Sequence, residues 1–235
     1  MGNPSVALPF ARSFCRILQG TVIELTPRSF RSVLCLGAHA DDIEIGCGGT
    51  ILHWSKENPD LQFHWVVFSG SKDRRSEAER SARGFLKSCK NHQVDLHALR
   101  DGFFPSEHSK IKQTFEELKG AVTPDVVLTH YGSDRHQDHR VVSELTWNTF
   151  RNHLVLEYEI PKYDGDLGQP NVFVALDEAV CDEKIDLLYE HFPTQAGKTW
   201  FDRDTFRGLM RLRGVECAAP DRFAEAFYGR KLRVS

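Results

Sequence analysis

The chain has 235 residues, 40% hydrophobic and 27% charged, with a formal net charge of -3. That is enough apolar material for one ordinary core, read as a single domain over 1–235, and a weakly acidic balance without a long basic run argues against DNA or RNA as partner. No stretch approaches the roughly 20 consecutive apolar residues that a membrane-spanning helix requires.

Residues 1–31 show no clear element and read as an N-terminal extension. Arg12 and Arg16 interrupt their apolar patch, which argues against a secretory signal. Val6 stands where a myristoylation motif following Met1-Gly2 wants serine or threonine. From Ser32 onward, short β-branched runs alternate with segments of helical period. The strand candidates are SVLCLGA from Ser32, FHWVVFS from Phe63, VDLHAL from Val94 and DVVLTH from Asp125, with helices expected between them over 48–58, 74–90 and 106–122. Alternation of this kind predicts the α/β class, with a mostly parallel sheet flanked by helices and right-handed crossovers. Beyond Asn152 follow two more strand candidates, HLVLEYEI and NVFVAL, separated by a loop marked by Pro161, Gly165, Gly168 and Pro170, and then helical segments over 178–191 and 205–212. Cys15, Cys35, Cys47, Cys89, Cys181 and Cys217 include no Cys-x-x-Cys pair and read as reduced thiols of a cytoplasmic protein.

In such a sheet, reactive groups collect beyond the carboxyl ends of the strands. Two clusters there are dense in ligand chemistry: "GAHADDIEIGCGG" after the first strand and "THYGSDRHQDHR" around the end of the fourth. Carboxylates ahead of the glycines would repel phosphate, so the first segment calls for a cation. His39 and Asp42 are three apart, as are His136 and His139, so each pair can share one face of a turn. Two imidazoles and one carboxylate around a divalent cation leave a position for water, and we assign His39, Asp42 and His139 as the ligands. Imidazole favours zinc over magnesium; iron(II) favours the same donor set. Asp41 is then placed to take a proton from the attacking water, and His136, as an imidazolium, to polarise a carbonyl oxygen and protonate a departing nitrogen. Asp138 would hold His136 charged and oriented. Together these are the parts of a metal-assisted amide hydrolase.

"AHADD" followed by "GCGG", and then "HQDH", resemble the LmbE-like or PIG-L-like deacetylases, whose usual patterns are His-Pro-Asp-Asp with a downstream glycine cluster and His-x-Asp-His. The resemblance spans about Ser32 to Tyr228, with further echoes in "HFPTQ" at His191 to Gln195 and in "RFAEAF". Ala40 replaces the usual proline, and Thr194 the usual serine. The resemblance implies a Rossmann-like three-layer sandwich and a zinc-dependent N-deacetylase, acting on an N-acetylglucosamine-type sugar conjugate and releasing acetate. It implies the same roles for His39, Asp42 and His139 as ligands, Asp41 as base, and His136 and Asp138 as assistants. It also directs Asp101 toward the sugar, where a carboxylate suits hydroxyls, with Arg75 as a comparable substrate-binding candidate.

Phe103, Phe104, Trp200 and Tyr228 could offer apolar faces to a sugar ring, although core packing is the commoner fate of aromatics. Gly46, Gly48 and Gly49 are expected to serve close helix packing. His53, His64, His92, His97, His108, His130, His153 and His191 are assigned to surface or core rather than to the metal. Two alternatives stand beside the deacetylase: a non-catalytic carbohydrate-binding protein on the same fold, and a nucleotide-binding Rossmann protein, which the order of carboxylates and glycines disfavours.

Overall fold

Why the motifs meet follows from strand order. A computed structural model describes residues 30–232. The described chain runs β1 (Ser32–Gly37), α1 (Asp42–Glu57), β2 (Gln62–Ser69), α2 (Lys72–Phe85), β3 (Asn91–Leu99), α3 (His108–Ala121), β4 (Val126–His130), α4 (Gln137–Thr149), β5 (Leu154–Tyr158), β6 (Val172–Leu176), α5 (Glu178–His191), a 3-10 turn (Pro193–Gln195), α6 (Arg203–Glu216) and β7 (Phe223–Gly229). The strands form one sheet of order β3-β2-β1-β4-β5-β7-β6. Neighbours from β3 to β5 are parallel, and β7 runs antiparallel to both β5 and β6. The expected α/β class with a mostly parallel sheet is therefore the one found. The N-terminal extension, except for its last two residues, lies outside the described residues.

Alternation along the strands divides the core in two. Val33 and Cys35 of β1, with Phe63, Trp65 and Val67 of β2, pack against α1, α2, α5 and α6. Leu34 and Leu36, with Val66 and Phe68, face α3 and α4. These strands are buried on both sides, which is why they read as near-continuous apolar runs. Because α1 leaves β1 toward one face and α4 leaves β4 toward the other, a crevice opens between the carboxyl ends of these two neighbouring strands, the usual ligand position in such sheets.

Three elements differ from expectation. The α2 helix stops at Phe85, short of the expected Lys90, because Leu86 to Cys89 turn back toward β3, with Cys89 donating its backbone N–H to Leu86. β7 was not read as a strand; its sequence echo "RFAEAF" forms an antiparallel insertion between β5 and β6. The largest difference is α1, which begins at Asp42 rather than at Gly48 and contains a break at Cys47 (φ -145°, ψ 17°). The break frees backbone groups, and distant side chains satisfy them. Glu225 of β7 accepts from the N–H of Gly49 (2.8 Å) and of Thr50 (2.6 Å), while Lys184 of α5 donates to the carbonyl of Ile45 (2.7 Å) and to Glu225 (2.6 Å). The glycine cluster thus does open a helical segment, but a carboxylate of the same chain already sits where a phosphate would bind. This removes the main support for the nucleotide-binding reading.

The glycines themselves serve contact, as expected. A Cβ on Gly46 would lie 2.1 Å from the Tyr158 ring, and one on Gly48 2.5 Å from the Phe85 ring. That close approach lets the Tyr158 hydroxyl reach the carbonyl of Leu36 at 2.6 Å and seat β5 beneath the crevice. Cys35, Cys47, Cys89, Cys181 and Cys217 are unpaired thiols. No helix among the described residues is long and apolar enough to cross a membrane.

Lys184 and Glu225 are both almost fully buried. Glu225→Ala would leave a buried ammonium without its partner and two helix N–H groups without acceptors, so chemical denaturation is expected to show a loss of about 3–5 kcal/mol. A loss below about 1 kcal/mol, the worth of an exposed pair, would show that the broken helix does not need this clamp.

Candidate metal centre

The turn after β1 is pinned before it carries any chemistry. The N–H of Ala38 donates to Nε2 of His130 at the end of β4 (2.9 Å), and Ser69 at the end of β2 donates its hydroxyl to the Ala38 carbonyl (2.7 Å). The Asp42 carboxylate then folds back to accept from the His39 N–H at 2.6 Å. A second group of ligands arrives from β4 and the start of α4, where Asp134 accepts from the N–H of His136 (2.7 Å) and takes His139 Nδ1 at 2.9 Å.

These two turns bring His39, Asp42 and His139 together. His39 Nδ1 lies 3.2 Å from His139 Nε2 and 3.2 Å from Asp42 Oδ2, and His139 Nε2 lies 3.5 Å from Asp42 Oδ1. Ligands bound tetrahedrally at about 2.0–2.1 Å are separated from one another by about 3.3–3.4 Å, so the three donors have the spacing of one zinc-sized coordination sphere. Overlapping sets join them: His136 groups with His39 and His139, His130 with Asp42 and His139, and Asp101 and Asp138 with His39. His130, assigned by sequence to core or surface, is fully buried and forms the floor, its ring stacked on His139 at 3.9 Å. Its Nε2 accepts from the Ala38 N–H and also lies 3.2 Å from Asp42 Oδ2.

Electrostatics favour a cation here. Burial opposes charge on His39, but the carboxylates of Asp42, Asp101 and Asp138 outweigh it and hold its pKa well above the ordinary value. Burial likewise opposes ionisation of Asp42, yet His139 and His39 pull its pKa well below the usual carboxylate range. On His130, burial and then its neighbour His139 bring the pKa down to about 4, so this ring is neutral.

Asp41 is almost fully buried on the other side of the turn. Oδ1 pairs with Arg74 Nη2 at 2.8 Å, whereas Oδ2 is buried without a partner. Burial raises its pKa despite the neighbouring guanidinium. The sequence reading named Arg75 as a substrate-binding candidate, with the register between it and the adjacent Arg74 open. Helical rotation brings Arg74 to the site's carboxylates: Arg75 packs against Gly70, while Arg74 spans Asp41, Glu77 (2.8 Å) and the Thr194 hydroxyl (3.2 Å). Thr194 in turn donates to Glu77 at 2.7 Å, so the "HFPTQ" segment reaches the site through Arg74. The spacing of Arg74 and Glu77 on one helical face was the signal available for this.

The expected pairing of Asp138 with His136 is not the one observed. The Asp138 carboxylate takes His39 Nε2 (3.2 Å) and the N–H groups of Gly102 (2.6 Å) and Phe104 (3.1 Å). As α4 begins, the Asp138 side chain turns toward the loop after β3, and only its backbone N–H reaches His136 Nδ1, at 3.3 Å. His136 is thereby an N-cap acceptor through Nδ1, with its proton on Nε2. Burial, then His139 and His39, lowers its pKa, so it is a neutral donor rather than an imidazolium. Asp101 is largely exposed at the mouth, 3.2 Å from His39 Nε2. Of the aromatic candidates, Phe104 is buried in the core, Tyr228 is stacked on Tyr131, Trp200 is packed on Phe201, and Phe103 is exposed beneath the Arg100 guanidinium.

Residues 34–150 match the family model described as PIG-L: GlcNAc-PI de-N-acetylase. The uncharacterized deacetylase YaiS of Escherichia coli is 28% identical over 174 residues, covering 68% of this chain and 90% of that protein. Among solved structures, N,N'-diacetylchitobiose deacetylase from Pyrococcus horikoshii superposes with a TM-score of 0.66 at 19% identity, over 86% of this chain and 85% of that one. GalB, the 4-carboxy-2-hydroxymuconate hydratase of Pseudomonas putida, gives 0.70 at 18% identity, over 87% and 98%. At such identities these two structures establish the fold, and GalB shows that the fold serves more than one reaction. The chain carries a domain of the PIG-L (LmbE-like) deacetylase family, and the matched residues include both turns that carry His39, Asp42, His136 and His139.

Arg74→Lys keeps the charge but cannot span two carboxylates as a guanidinium does. Its turnover in acetate release is expected to fall on the order of 10²-fold. Turnover near that of the unsubstituted protein would show that Arg74 does not orient Asp41.

Proposed function

We propose that the protein is a zinc-dependent N-deacetylase of an N-acetylglucosamine-type sugar conjugate. The observation that carries this reading is the convergence of His39 Nδ1, His139 Nε2 and the Asp42 carboxylate, next in sequence to a buried Asp41 whose Oδ2 has no hydrogen-bond partner. The donor set, two imidazoles and one carboxylate, suits zinc, with iron(II) as the other cation of the same preference. A divalent cation bound there supplies positive charge that acidifies water and polarises an acetamide carbonyl.

The chain's own groups do the rest. Asp41, held at Oδ1 by Arg74, uses Oδ2 to take the proton of the attacking water as the new C–O bond forms and the carbonyl electrons move onto oxygen. A pKa raised by burial makes it a better base than an exposed aspartate. His136 donates Nε2–H to the developing oxyanion, an interaction that strengthens as charge accumulates. As the C–N bond breaks, Asp41 returns its proton to the departing nitrogen, leaving acetate and a free amine. Asp138 fixes the ring of His39 by accepting from Nε2, and Asp134 does the same for His139 at Nδ1; such contacts orient a ligand imidazole and set its tautomer. Asp101, exposed at the mouth, is suited to accept from a sugar hydroxyl.

Purified protein supplied with zinc is expected to release acetate from N-acetylhexosamine conjugates, to lose that activity on chelation and to regain it on re-addition of zinc. Asp41→Asn is expected to lower kcat by about 10²–10⁴-fold while zinc still binds. Biological activity that survives Asp41→Asn would favour the non-catalytic carbohydrate-binding alternative.

A further inference from the structure

The segment after β5, which the sequence marks only as a loop, reaches into the metal centre through one side chain. Lys162 is nearly buried, and its ammonium lies 3.0 Å from Asp134 Oδ2 and 2.5 Å from Asp166 Oδ2. Asp134 Oδ2 is the same oxygen that meets His139 Nδ1 at 2.9 Å. Asp166 also accepts from the N–H of Arg135, at 2.7 Å. The ammonium therefore joins the loop after β5 to the turn that carries His136 and His139.

We propose that Lys162 is a positioning residue: by clamping the same Asp134 oxygen that meets His139, it fixes the ring orientation and tautomer in which His139 turns Nε2 toward His39 and Asp42. This rests on the metal-site reading above. The physical basis is that a ligand imidazole follows its hydrogen-bond acceptor: Asp134 Oδ1 is held by the His136 N–H at 2.7 Å, whereas Oδ2, the oxygen that meets His139, takes Lys162 as its other partner. Two strong charge-assisted contacts on one oxygen leave Asp134 little freedom. The rest of the loop does not depend on Lys162. Gly168 donates to Glu159 (3.3 Å) and accepts from Arg213 (3.1 Å), and Arg213 forms a buried two-point pair with Glu159 at 2.9 and 2.8 Å. A change at Lys162 should therefore loosen the clamp while the loop stays docked.

The test is zinc affinity, measured by competition with a chromophoric chelator, for the full chain and for Lys162→Met and Lys162→Arg, alongside melting of each metal-free protein. Lys162→Met is expected to weaken zinc binding about 10–100-fold, the usual effect of losing a partner behind a metal ligand, while Lys162→Arg recovers most of it. Equal zinc affinity in the unsubstituted chain and in Lys162→Met would overturn the proposal. So would a lowered metal-free melting temperature with affinity unchanged, because that is what a purely structural strap predicts. Failure of the unsubstituted chain to bind zinc would overturn both this proposal and the metal-site reading.

Discussion

One buried carboxylate organises the site. Asp42 lies among three imidazoles, His39, His130 and His139, and also accepts from the backbone of the turn that it begins. An isolated ionised carboxylate in such a place is very costly, so the site is tolerable only if positive charge is delivered to it. His39 and His139 can supply protons, or a metal ion can take their place. Other features of the centre follow from that requirement: Asp134 and Asp138 stand behind two of the rings, and Asp41 is turned aside toward Arg74, where it does not compete for the same positive charge.

The frame around this carboxylate is also built from buried ion pairs. Glu225 and Lys184 close the break in α1, Arg213 and Glu159 dock the loop after β5, and Lys162 bridges that loop to Asp134. Each joins elements far apart in sequence. The break in α1 falls at Cys47, and the distant pair offsets the lost backbone bonds. The rigidity of the centre thus depends in part on the last strand of the chain.

Much of this was legible in the sequence. The three buried strands before Gln137, β1, β2 and β4, announce themselves as apolar runs, and local spacing placed His39, Asp42, His136 and His139 on two turns at strand ends. What could not be read depends on distant partners. Glycine discourages helix locally, so α1 appeared to start at Gly48; only Glu225 and Lys184 make the earlier start sustainable. β7 alternates alanine with glutamate and resembles an exposed segment until its pairing with β5 and β6 is known. Which of Arg74 and Arg75 faces Asp41 was open in the sequence, because one residue on a helix turns a side chain by about 100°. The partner of Asp138 was misassigned because sequence proximity favoured His136, whereas the loop after β3 offers two backbone donors at closer range.

The measurement that bears most directly on this account is the position of zinc in crystals of the protein, located by anomalous scattering at its absorption edge. The account predicts one strong peak about 2.0–2.2 Å from His39 Nδ1, His139 Nε2 and a carboxylate oxygen of Asp42, with Asp41 nearby but not bonded to it. A peak coordinated by His130 in place of His39, or zinc held only by exposed surface groups with the crevice between β1 and β4 empty, would contradict it.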